Sequence, residues 1–586
     1  MGNTLRILLI TSVITFAQGP TTPASPEPGA PDAPSRAARL SLVSGTVSFQ
    51  PGSVEDWVPA TLNRPMTTGD RLWTEAGARA ELHLGSAALR LNGRTNVSFI
   101  NLDDRTAQVQ LSLGTLSVRV RRLADDEVFE IDTPQAALSL LRPGEYRVEV
   151  NEQGDATVVS VRSGQAEATA GQAFSIAPRQ QVRIASPADS AGQPVFDQRE
   201  IPPADPFDNF CQDRDRREDM SASSKYVSRD VPGYADLDAA GAWRTTPDYG
   251  AVWVPAGLPP GWAPYRYGHW AWVNPWGWTW VDDAPWGYAP FHYGRWVFVG
   301  GAWGWVPGPV VVGVRPVYSP ALVAWVGGPS FGVSIGIGAG PAVGWFALGP
   351  REVFVPAYRY SPGYIERINV TNTVIVNRAV FSNVAVANVT YVNRGVVGAV
   401  VAVPGGVMVA GRPIGAAAVV VRPEVVARVQ VGVVAVVVPE RGAVLGGREV
   451  VRVAPPAVVV NRTVVTRAAP PPPRVAFEHE RTALAANPGH PLDHAAVENI
   501  RRGEPSPARA NYRPAAAAAA PARPVNAGRP AEARPESRPE PRPEARPETR
   551  PAPATHSAEE RRDAKQTGKK DTRKNRDKDK KDREKN

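Results

Sequence analysis

Short segments with apolar residues at every second position dominate the first third of the chain after residue 38. Leu82 and Leu84 form one such segment, and Leu89 and Leu91 form the next. This period of two is typical of a half-buried β-strand. The alternation continues through 111–120, where its phase breaks at Gly114, and returns in later segments. Short strands separated by turns predict an all-β fold of the sandwich, roll or solenoid type.

Several positions within 38–186 resemble the FecR domain as a set. They are Gly69-Asp70, Leu72, Thr74, Ala80, Leu82, Leu84, Gly85-Ser86, Gly114, Leu116, Val118, Thr133-Pro134, Gly144, Tyr146, Val148, Val161 and Gly164. Two positions depart from the family pattern: Glu75 stands where Gly is common, and Leu84 stands where Asp is common. The resemblance implies a β-rich FecR-like domain over residues 38–186.

Some FecR relatives relay a signal from an outer-membrane receptor to a cytoplasmic sigma factor. That mechanism uses a cytoplasmic helical segment and a membrane-spanning helix ahead of the β domain. Here only a few residues precede the first apolar stretch, Ile7 to Phe16. We therefore expect the fold of the family without this relay mechanism.

Fourteen of the sixteen tryptophans lie between Trp243 and Trp345. This segment contains an internal repeat, because APYRYGHW (263–270) aligns with APFHYGRW (289–296), and two Trp-Gly-Trp triplets follow. Each unit consists of an aromatic strand, a Gly/Pro turn and a second aromatic strand. The pattern predicts two or three aromatic β-hairpins stacked into a small sheet.

The tryptophans of this region allow two interpretations. Their rings can form the core, since aromatic cross-strand pairs stabilise small sheets strongly. Alternatively, part of the rings form an exposed platform for a sugar, peptidoglycan or another planar ligand, because a thin sheet cannot bury both faces against itself. The candidate platform residues are Trp270, Trp272, Trp278, Trp280, Trp296, Trp303 and Trp305.

The stretch 343–365, with the repeats and with segments near 390–414, resembles a Trp-rich domain family of unknown function. Members of that family follow FecR-type domains in exported bacterial proteins. The resemblance covers residues 240–415 and implies neither a reaction nor a ligand.

The remaining segments complete the predicted organisation. Arg6, the apolar stretch and the small residues Ala17 and Gly19 are typical of a secretory signal peptide. The predicted segments are a signal peptide at 1–19, a linker at 20–37, the FecR-like β domain at 38–186, a linker at 187–235, the Trp-rich β-repeat domain at 236–415, a Val-rich and partly ordered extension at 416–469, and a disordered tail at 470–586.

Composition changes this picture mainly at the C-terminus. Pro (60) and Gly (52) together make up about a fifth of the chain, well above ordinary usage. Residues 557–586 carry 13 basic and 8 acidic side chains, an excess of five positive charges. Such a tail cannot bury enough apolar area to fold alone. It is either a solvated extension or a contact to an anionic envelope surface.

Candidate chemistry is sparse along the chain. Asp282 and Asp283 are adjacent, so they are expected in a turn rather than on either side of a substrate. His490 and His494 lie in a segment interrupted by Pro491, and the single cysteine, Cys211, lies in a predicted linker. We therefore predict no catalytic residue, no metal site and no cofactor.

The sequence thus predicts a non-enzymatic scaffold or binding protein of the cell envelope, exported to the periplasm or cell surface. Its expected partner is a cell-wall polysaccharide or an envelope protein, and not a nucleic acid. The alternative is an envelope signalling component that relays binding to a separate membrane partner.

Overall fold

The computed structural model describes residues 31–185, 194–328, 331–337, 341–375, 390–503 and 511–515. The predicted signal peptide at 1–19, residues 20–30 of the first linker and residues 516–586 of the predicted tail lie outside them. Among the described residues, β-strands are the main element and confirm the all-β prediction. No helix in this part of the chain is both long and apolar enough to cross a membrane.

The FecR-like region is built entirely from strands. They are β1 (Ala38–Ser44), β2 (Val47–Gln50), β3 (Val58–Pro59), β4 (Pro65–Met66), β5 (Arg71–Thr74), β6 (Arg79–Leu84), β7 (Ala87–Leu91), β8 (Thr95–Leu102), β9 (Thr106–Val120), β10 (Val128–Asp132), β11 (Ala137–Leu140), β12 (Gly144–Val150), β13 (Ala156–Ser163), β14 (Ala166–Ala170), β15 (Gln172–Ile176), β16 (Gln180–Ala185) and β17 (Val195–Glu200).

These strands form two sheets that share β9. One sheet has the order β4-β1-β6-β7-β9-β12-β13-β16-β17. The other has the order β3-β2-β5-β8-β9-β10-β11-β14-β15. All of these pairings are antiparallel except β9 with β10, which is parallel. Side chains of both sheets share one apolar core, so the region is a β-sandwich.

Strand β9 passes from one sheet to the other at Gly114, where the sequence pattern changes phase. The residues before Gly114 pair with β8 and β10, and those after it pair with β7 and β12. Gly114 has φ +96°, and a Cβ there would lie 2.4 Å from the hydroxyl of Thr95. Glycine is therefore required at the crossing for both its backbone angle and its lack of a side chain.

The predicted linker 187–235 contains a 14-residue helix, α1 (Pro206–Asp219), and the structure differs here from the sequence interpretation. Asp205 caps the helix by accepting bonds from the amides of Phe207 and Asp208, and the Asp208 carboxylate accepts from the amide of Asp205. This capping box with Pro206 in the first turn is a strong helix start.

Helix α1 packs on the outer face of the first sheet through charge pairs. Arg90 donates to Asp215 over 2.9 Å, and Arg147 donates to Asp208 over 3.1 Å. Asp208 and Asp215 of this helix therefore hold it to the sheet. Cys211 is buried on the same helix rather than free in a linker, and this burial raises the pKa of its thiol to about 11.

Glu81 lies at the centre of this interface and is completely buried. Arg90 and Arg214 each donate to its carboxylate, over 2.7 Å and 3.0 Å to the Oε2 atom. Burial alone would raise the pKa of Glu81, but the adjacent His83, Arg214 and Arg90 hold it well below its usual value. The carboxylate therefore stays ionised and ties the sheet to α1.

The Trp-rich region and the extension after it mix strands with short helices. They are α2 (Leu237–Ala240), β18 (Gly241–Thr246), β19 (Gly250–Pro255), β20 (Gly268–Val273), β21 (Gly277–Asp282), α3 (Ala289–His292), β22 (Arg295–Val299), β23 (Ala302–Val306), β24 (Val323–Gly327), α4 (Phe331–Ser334), β25 (Ala342–Ala347), α5 (Pro362–Val370), β26 (Val401–Pro404), α6 (Gly405–Val409), β27 (Val419–Val420), α7 (Pro423–Arg428), β28 (Gln430–Gly432) and α8 (Arg441–Val444).

The predicted aromatic hairpins form, but they belong to separate sheets rather than to one stacked sheet. The first repeat gives the two-stranded hairpin β20-β21, and the second gives β22-β23 within the sheet β18-β19-β23-β22. A third sheet has the order β27-β26-β25-β24-β28 and takes in part of the Val-rich extension. Aromatic and aliphatic side chains from all three sheets share one core.

Residues 446–503 and 511–515, which we call the C-terminal strap, return across both regions. They contain α9 (Ala457–Val460), β29 (Val464–Thr466), α10 (Phe477–Ala486), α11 (His494–Gly503) and β30 (Tyr512–Pro514). Val451 and Val465 donate their amides to the carbonyls of Trp57 and Thr133 in the FecR-like region. Residues 470–503 of the predicted tail contain α10 and α11, and the boundary at residue 470 stays a prediction.

Buried polar side chains join the FecR-like and Trp-rich regions. Arg39 pairs with the Asp236 carboxylate over 2.6 Å and donates to the Pro285 carbonyl over 2.6 Å. Asn63 donates to the carbonyl of Ala284 over 2.7 Å. Because these groups are buried, they require each other as partners, and the two regions are held in a fixed arrangement.

Candidate functional site

The first aromatic hairpin places four of the candidate platform residues in one row. Trp270 pairs with Trp280 and Trp272 pairs with Trp278 across β20 and β21. Residues two apart on a strand share a face, and directly opposed residues share it too, so all four indoles point the same way. The turn Asn274–Gly277 closes the hairpin beside the Trp272–Trp278 pair.

The inner pair, Trp270 and Trp280, lies inside the aromatic core. The Trp270 ring is 4.6 Å from that of Trp325 and 5.3 Å from that of Trp345, measured between centroids. The indole N–H of Trp280 donates to the Asp282 carboxylate over 3.0 Å. Both side chains are completely buried, so their rings serve as packing.

The outer pair, Trp272 and Trp278, has different surroundings. Their rings meet edge to face, with centroids 5.4 Å apart. Residues of the C-terminal strap lie over the hairpin turn, and Pro491 and Trp272 both come within 3.2 Å of a Cβ placed on Gly277. Trp272 is 2% exposed and Trp278 is 6% exposed with the strap in place.

The second repeat supplies the remaining candidate residues, and these are also buried. Trp296 donates its indole N–H to the carbonyl of Pro290 over 2.9 Å, and Trp305 donates to that of Tyr293 over 2.8 Å. Trp303 packs against Phe298, whose side chain is exposed.

All seven candidate platform residues are therefore buried in this conformation. Their packing favours the interpretation of the rings as a core. A ligand-binding role for them stays a prediction, and it requires a rearrangement that uncovers a ring.

Four indole N–H groups in this region have no hydrogen-bond partner although they are buried. They belong to Trp270, Trp272, Trp276 and Trp278. A buried donor without an acceptor costs about 1–3 kcal/mol, so native proteins rarely keep one. The four lie along the first hairpin, and three of them are at its turn.

The acidic pair Asp282-Asp283 ends the first hairpin. The Asp282 carboxylate accepts from the indole of Trp280 and from the amide of Ala284, both over 3.0 Å. Burial raises the pKa of Asp282 well above its usual value. Burial also raises the pKa of Asp283, although the positive charge of Arg448 offsets part of this rise. The Asp282 contacts make that carboxylate a turn-forming group.

The histidines have separate surroundings. Burial lowers the pKa of His269 and of His292 to about 3, so both rings are neutral at ordinary pH. His490 bonds through Nδ1 to the carbonyl of Ala357 over 2.7 Å, and His494 begins α11. Within the described ranges, no group of three or more His, Cys, Asp or Glu side chains is placed to hold a metal ion.

The sequence reasoning missed the residues that cover the hairpin turn. Asn274 donates its side-chain amide to the Glu480 carboxylate over 3.1 Å, and Arg474 donates to the Asn274 carbonyl over 3.2 Å. Arg474 also donates to the hydroxyl of Thr67 over 3.0 Å. Its guanidinium therefore joins the strap to both regions. The apolar spacing of Phe477 and Leu484 at helical positions was the available signal, since both are buried in the aromatic core.

Comparison with known protein families agrees with the two resemblances read from the sequence. Residues 70–167 match the family described as FecR protein. Residues 234–352 match a family of unknown function (DUF6600). The matched ranges are shorter than the predicted domains, whose boundaries stay predictions. No curated protein matches the chain.

Two solved structures of a putative anti-sigma factor from Parabacteroides distasonis are similar to part of the chain. They share 19% and 18% identity with it, and both have a TM-score of 0.20. Each comparison covers 22% of this chain and 60% of the solved chain. This chain thus spans less than two thirds of the length of either relative. From the two family matches, the chain is a FecR-domain protein with a domain of unknown function downstream.

Proposed function

We propose that the chain is a non-enzymatic scaffold or binding protein of the cell envelope, acting after export in the periplasm or at the cell surface. The observation that carries this proposal is the buried polar junction between the FecR-like and Trp-rich regions. A junction of this kind supports a role in which one rigid body presents a constant surface.

The junction favours a scaffold because its groups leave little freedom for relative motion. Arg39 and Asn63 are almost fully buried, and their partners are a carboxylate and main-chain carbonyls of the other region. Separating the regions would leave these groups without partners or require water to replace them. The strap adds a third connection through Arg474.

The polar clusters support binding rather than catalysis. Glu81 is surrounded by cations that tie down α1, and Asp282 is occupied by turn contacts. A general acid or base must instead reach a substrate proton. The proposed partner is a cell-wall polysaccharide or an envelope protein.

A direct test follows the full-length protein in cells and in vitro. We expect it in the envelope fraction, and we expect purified protein to pellet with peptidoglycan sacculi or to crosslink to a defined envelope protein. Recovery of the mature protein from the cytosol would refute the proposal. Release from sacculi at low salt, without any crosslinked envelope partner, would also refute it.

The second candidate is an envelope signalling component, which the FecR family match favours. It predicts that binding at the rigid body changes the state of a separate membrane protein. A transcriptional reporter that responds to deletion of the chain, and is restored by the full-length protein, would support this alternative over a scaffold.

A further inference from the structure

The four indoles on the first hairpin form the inner pair, Trp270 and Trp280, and the outer pair, Trp272 and Trp278. Trp270 and Trp280 contact further rings of the core, including Trp325 and Trp345. The Trp272 and Trp278 rings contact each other at the hairpin turn. Pro491 of the strap and the Trp272 ring both approach Gly277, so the strap lies beside this outer pair.

Hydrogen bonding divides the indoles less sharply, because Trp270 of the inner pair also has a buried N–H without an acceptor. Indoles inside the core donate to fixed acceptors, as Trp280, Trp296 and Trp305 do. The indoles at the turn, Trp272 and Trp278, have buried N–H groups without an acceptor. Neighbouring Trp276 has the same unpartnered donor and is 2% exposed. Three unpartnered donors are thus grouped at the hairpin turn, and one of them belongs to Trp276, whose ring also packs against Tyr318 of the core.

The cover is held at the turn by polar contacts. The Asn274 amide donates to the Glu480 carboxylate, and Pro491 lies over Gly277. A single amide–carboxylate bond is weak beside the stability of a whole domain. Apolar anchoring comes from Phe477 and Leu484 of α10.

We propose that Trp272, Trp276 and Trp278 form a glycan-binding surface, and that the strap residues 474–492 are its displaceable cover. The ligand is an oligosaccharide of pyranose sugars. Its C–H faces pack on indole rings, and its hydroxyl oxygens accept from the three unpartnered N–H groups. This inference rests on the proposed binding function and assigns it a site and a ligand class.

The glycan chemistry follows from what the surface offers. The indoles present apolar faces and neutral donors, and the turn residues Asn274 and Gly277 are uncharged. Binding sites of this kind combine aromatic packing with a few placed polar groups. Removal of the strap from the turn would expose rings and donors together.

The test uses the full chain with a protease site replacing Pro470–Pro473, so that the strap is cut only after folding. Chitohexaose is the probe, and titration calorimetry measures its affinity before and after cutting. We expect at least a tenfold gain in affinity on cutting. In the uncut chain, Glu480→Ala should give a smaller gain, because it removes the carboxylate that holds Asn274.

Matched controls separate the cover from general loosening of the fold. Arg481→Ala lies on the same helix, where Arg481 is exposed and pairs with Glu478 within α10, and should leave affinity unchanged. In the cut protein, Trp278→Phe keeps an aromatic ring but removes one donor, and should weaken binding about tenfold. Near-ultraviolet circular dichroism checks that each protein is folded.

Acrylamide quenching of tryptophan fluorescence gives a readout that does not depend on a substitution. We expect greater quenching after the strap is cut. Equal quenching and equal chitohexaose affinity before and after cutting would overturn the proposal, as would full binding by cut Trp278→Phe. If the uncut chain nevertheless pellets with sacculi, the proposed envelope-binding function stands and only the proposed glycan site beneath the strap is refuted.

Discussion

The side-chain amide of Asn63 donates to the main-chain oxygen of Ala284 over 2.7 Å, although 221 residues separate the two in the chain. Asn63 also donates to the carbonyl of Asp282 over 3.0 Å. Its backbone has φ +63°, a left-handed conformation that asparagine tolerates better than most residues. One side chain thus satisfies two carbonyls of the neighbouring region.

Asn63→Ala should therefore destabilise the junction by about 2–3 kcal/mol, because it leaves these carbonyls without a donor and keeps the strained φ. Asn63→Gly loses the same amide but relieves the backbone, so it should cost about 1 kcal/mol less. Chemical unfolding of the two variants measures this difference. Asn101→Ala, at a partly exposed position near the end of β8, is the control, and equal losses at both positions would contradict the assignment.

The stability of the folded protein should depend on pH partly through the Asp132 carboxyl. Burial and the neighbouring Glu130 raise the pKa of Asp132 well above its usual value of 3.8. A carboxyl whose pKa is raised on folding stabilises the protein below its unfolded pKa, and that contribution is lost as the pH rises towards the folded pKa. The buried Asp132 carboxyl therefore lowers the stability of the protein as the pH rises above its unfolded pKa.

Asp132→Asn should raise the thermal midpoint relative to the wild type at pH 8 and have little effect at pH 4. The amide can still accept from Gln108, which donates to the Asp132 carboxylate over 2.9 Å in the wild type. Calorimetric scans at the two pH values test this. A larger gain at pH 4 than at pH 8 would have the wrong sign.

Helix α1 should detach when its buried acid is removed. Asp208→Ala breaks the capping box and the pair with Arg147, and we expect a loss of about 2–4 kcal/mol. Asp213→Ala, at an exposed position of the same helix, should cost less than about 1 kcal/mol. Urea unfolding compares the two. A similar cost at both positions would show that the helix is not held by its buried pairs.

The two ends of the aromatic row should respond differently to loss of an indole N–H. Trp280→Phe removes the donor that serves the buried Asp282 carboxylate, whereas Trp272→Phe removes a donor that has no partner. We expect Trp280→Phe to be about 1–3 kcal/mol more destabilising. Denaturant midpoints measured for both variants decide it, and a larger loss for Trp272→Phe would disprove the assigned hydrogen bonding.

Local patterns predicted the parts of the fold that depend on neighbours in sequence. The phase break at Gly114 marks the point where β9 changes sheets, and the repeat correctly paired Trp270 with its hairpin partner strand. Helix α1 was missed although Asp205, Pro206 and Asp208 form a recognisable start. Its many charged residues are typical of a solvated segment, and sequence alone does not show the arginines on the sheet that pair with them.

The arrangement of the hairpins and the strap could not be read from local patterns. The second repeat joins a larger sheet because β23 pairs with β19, a strand that lies outside both repeats. Arg474 contacts the carbonyl of Thr68 across 406 residues, and no periodicity encodes such a pair. For the same reason, the sequence indicated the tryptophans as a candidate site but did not show that the strap lies beside them.

The position of the strap also sets an order of events during synthesis. Pro491 follows Trp278 by more than two hundred residues, so the hairpin emerges from the ribosome long before the piece that closes over it. At a translation rate of about 5–20 residues per second, this interval lasts about 10–40 s. The Trp272–Trp278 end of the hairpin is therefore synthesised well before the residues that lie over it.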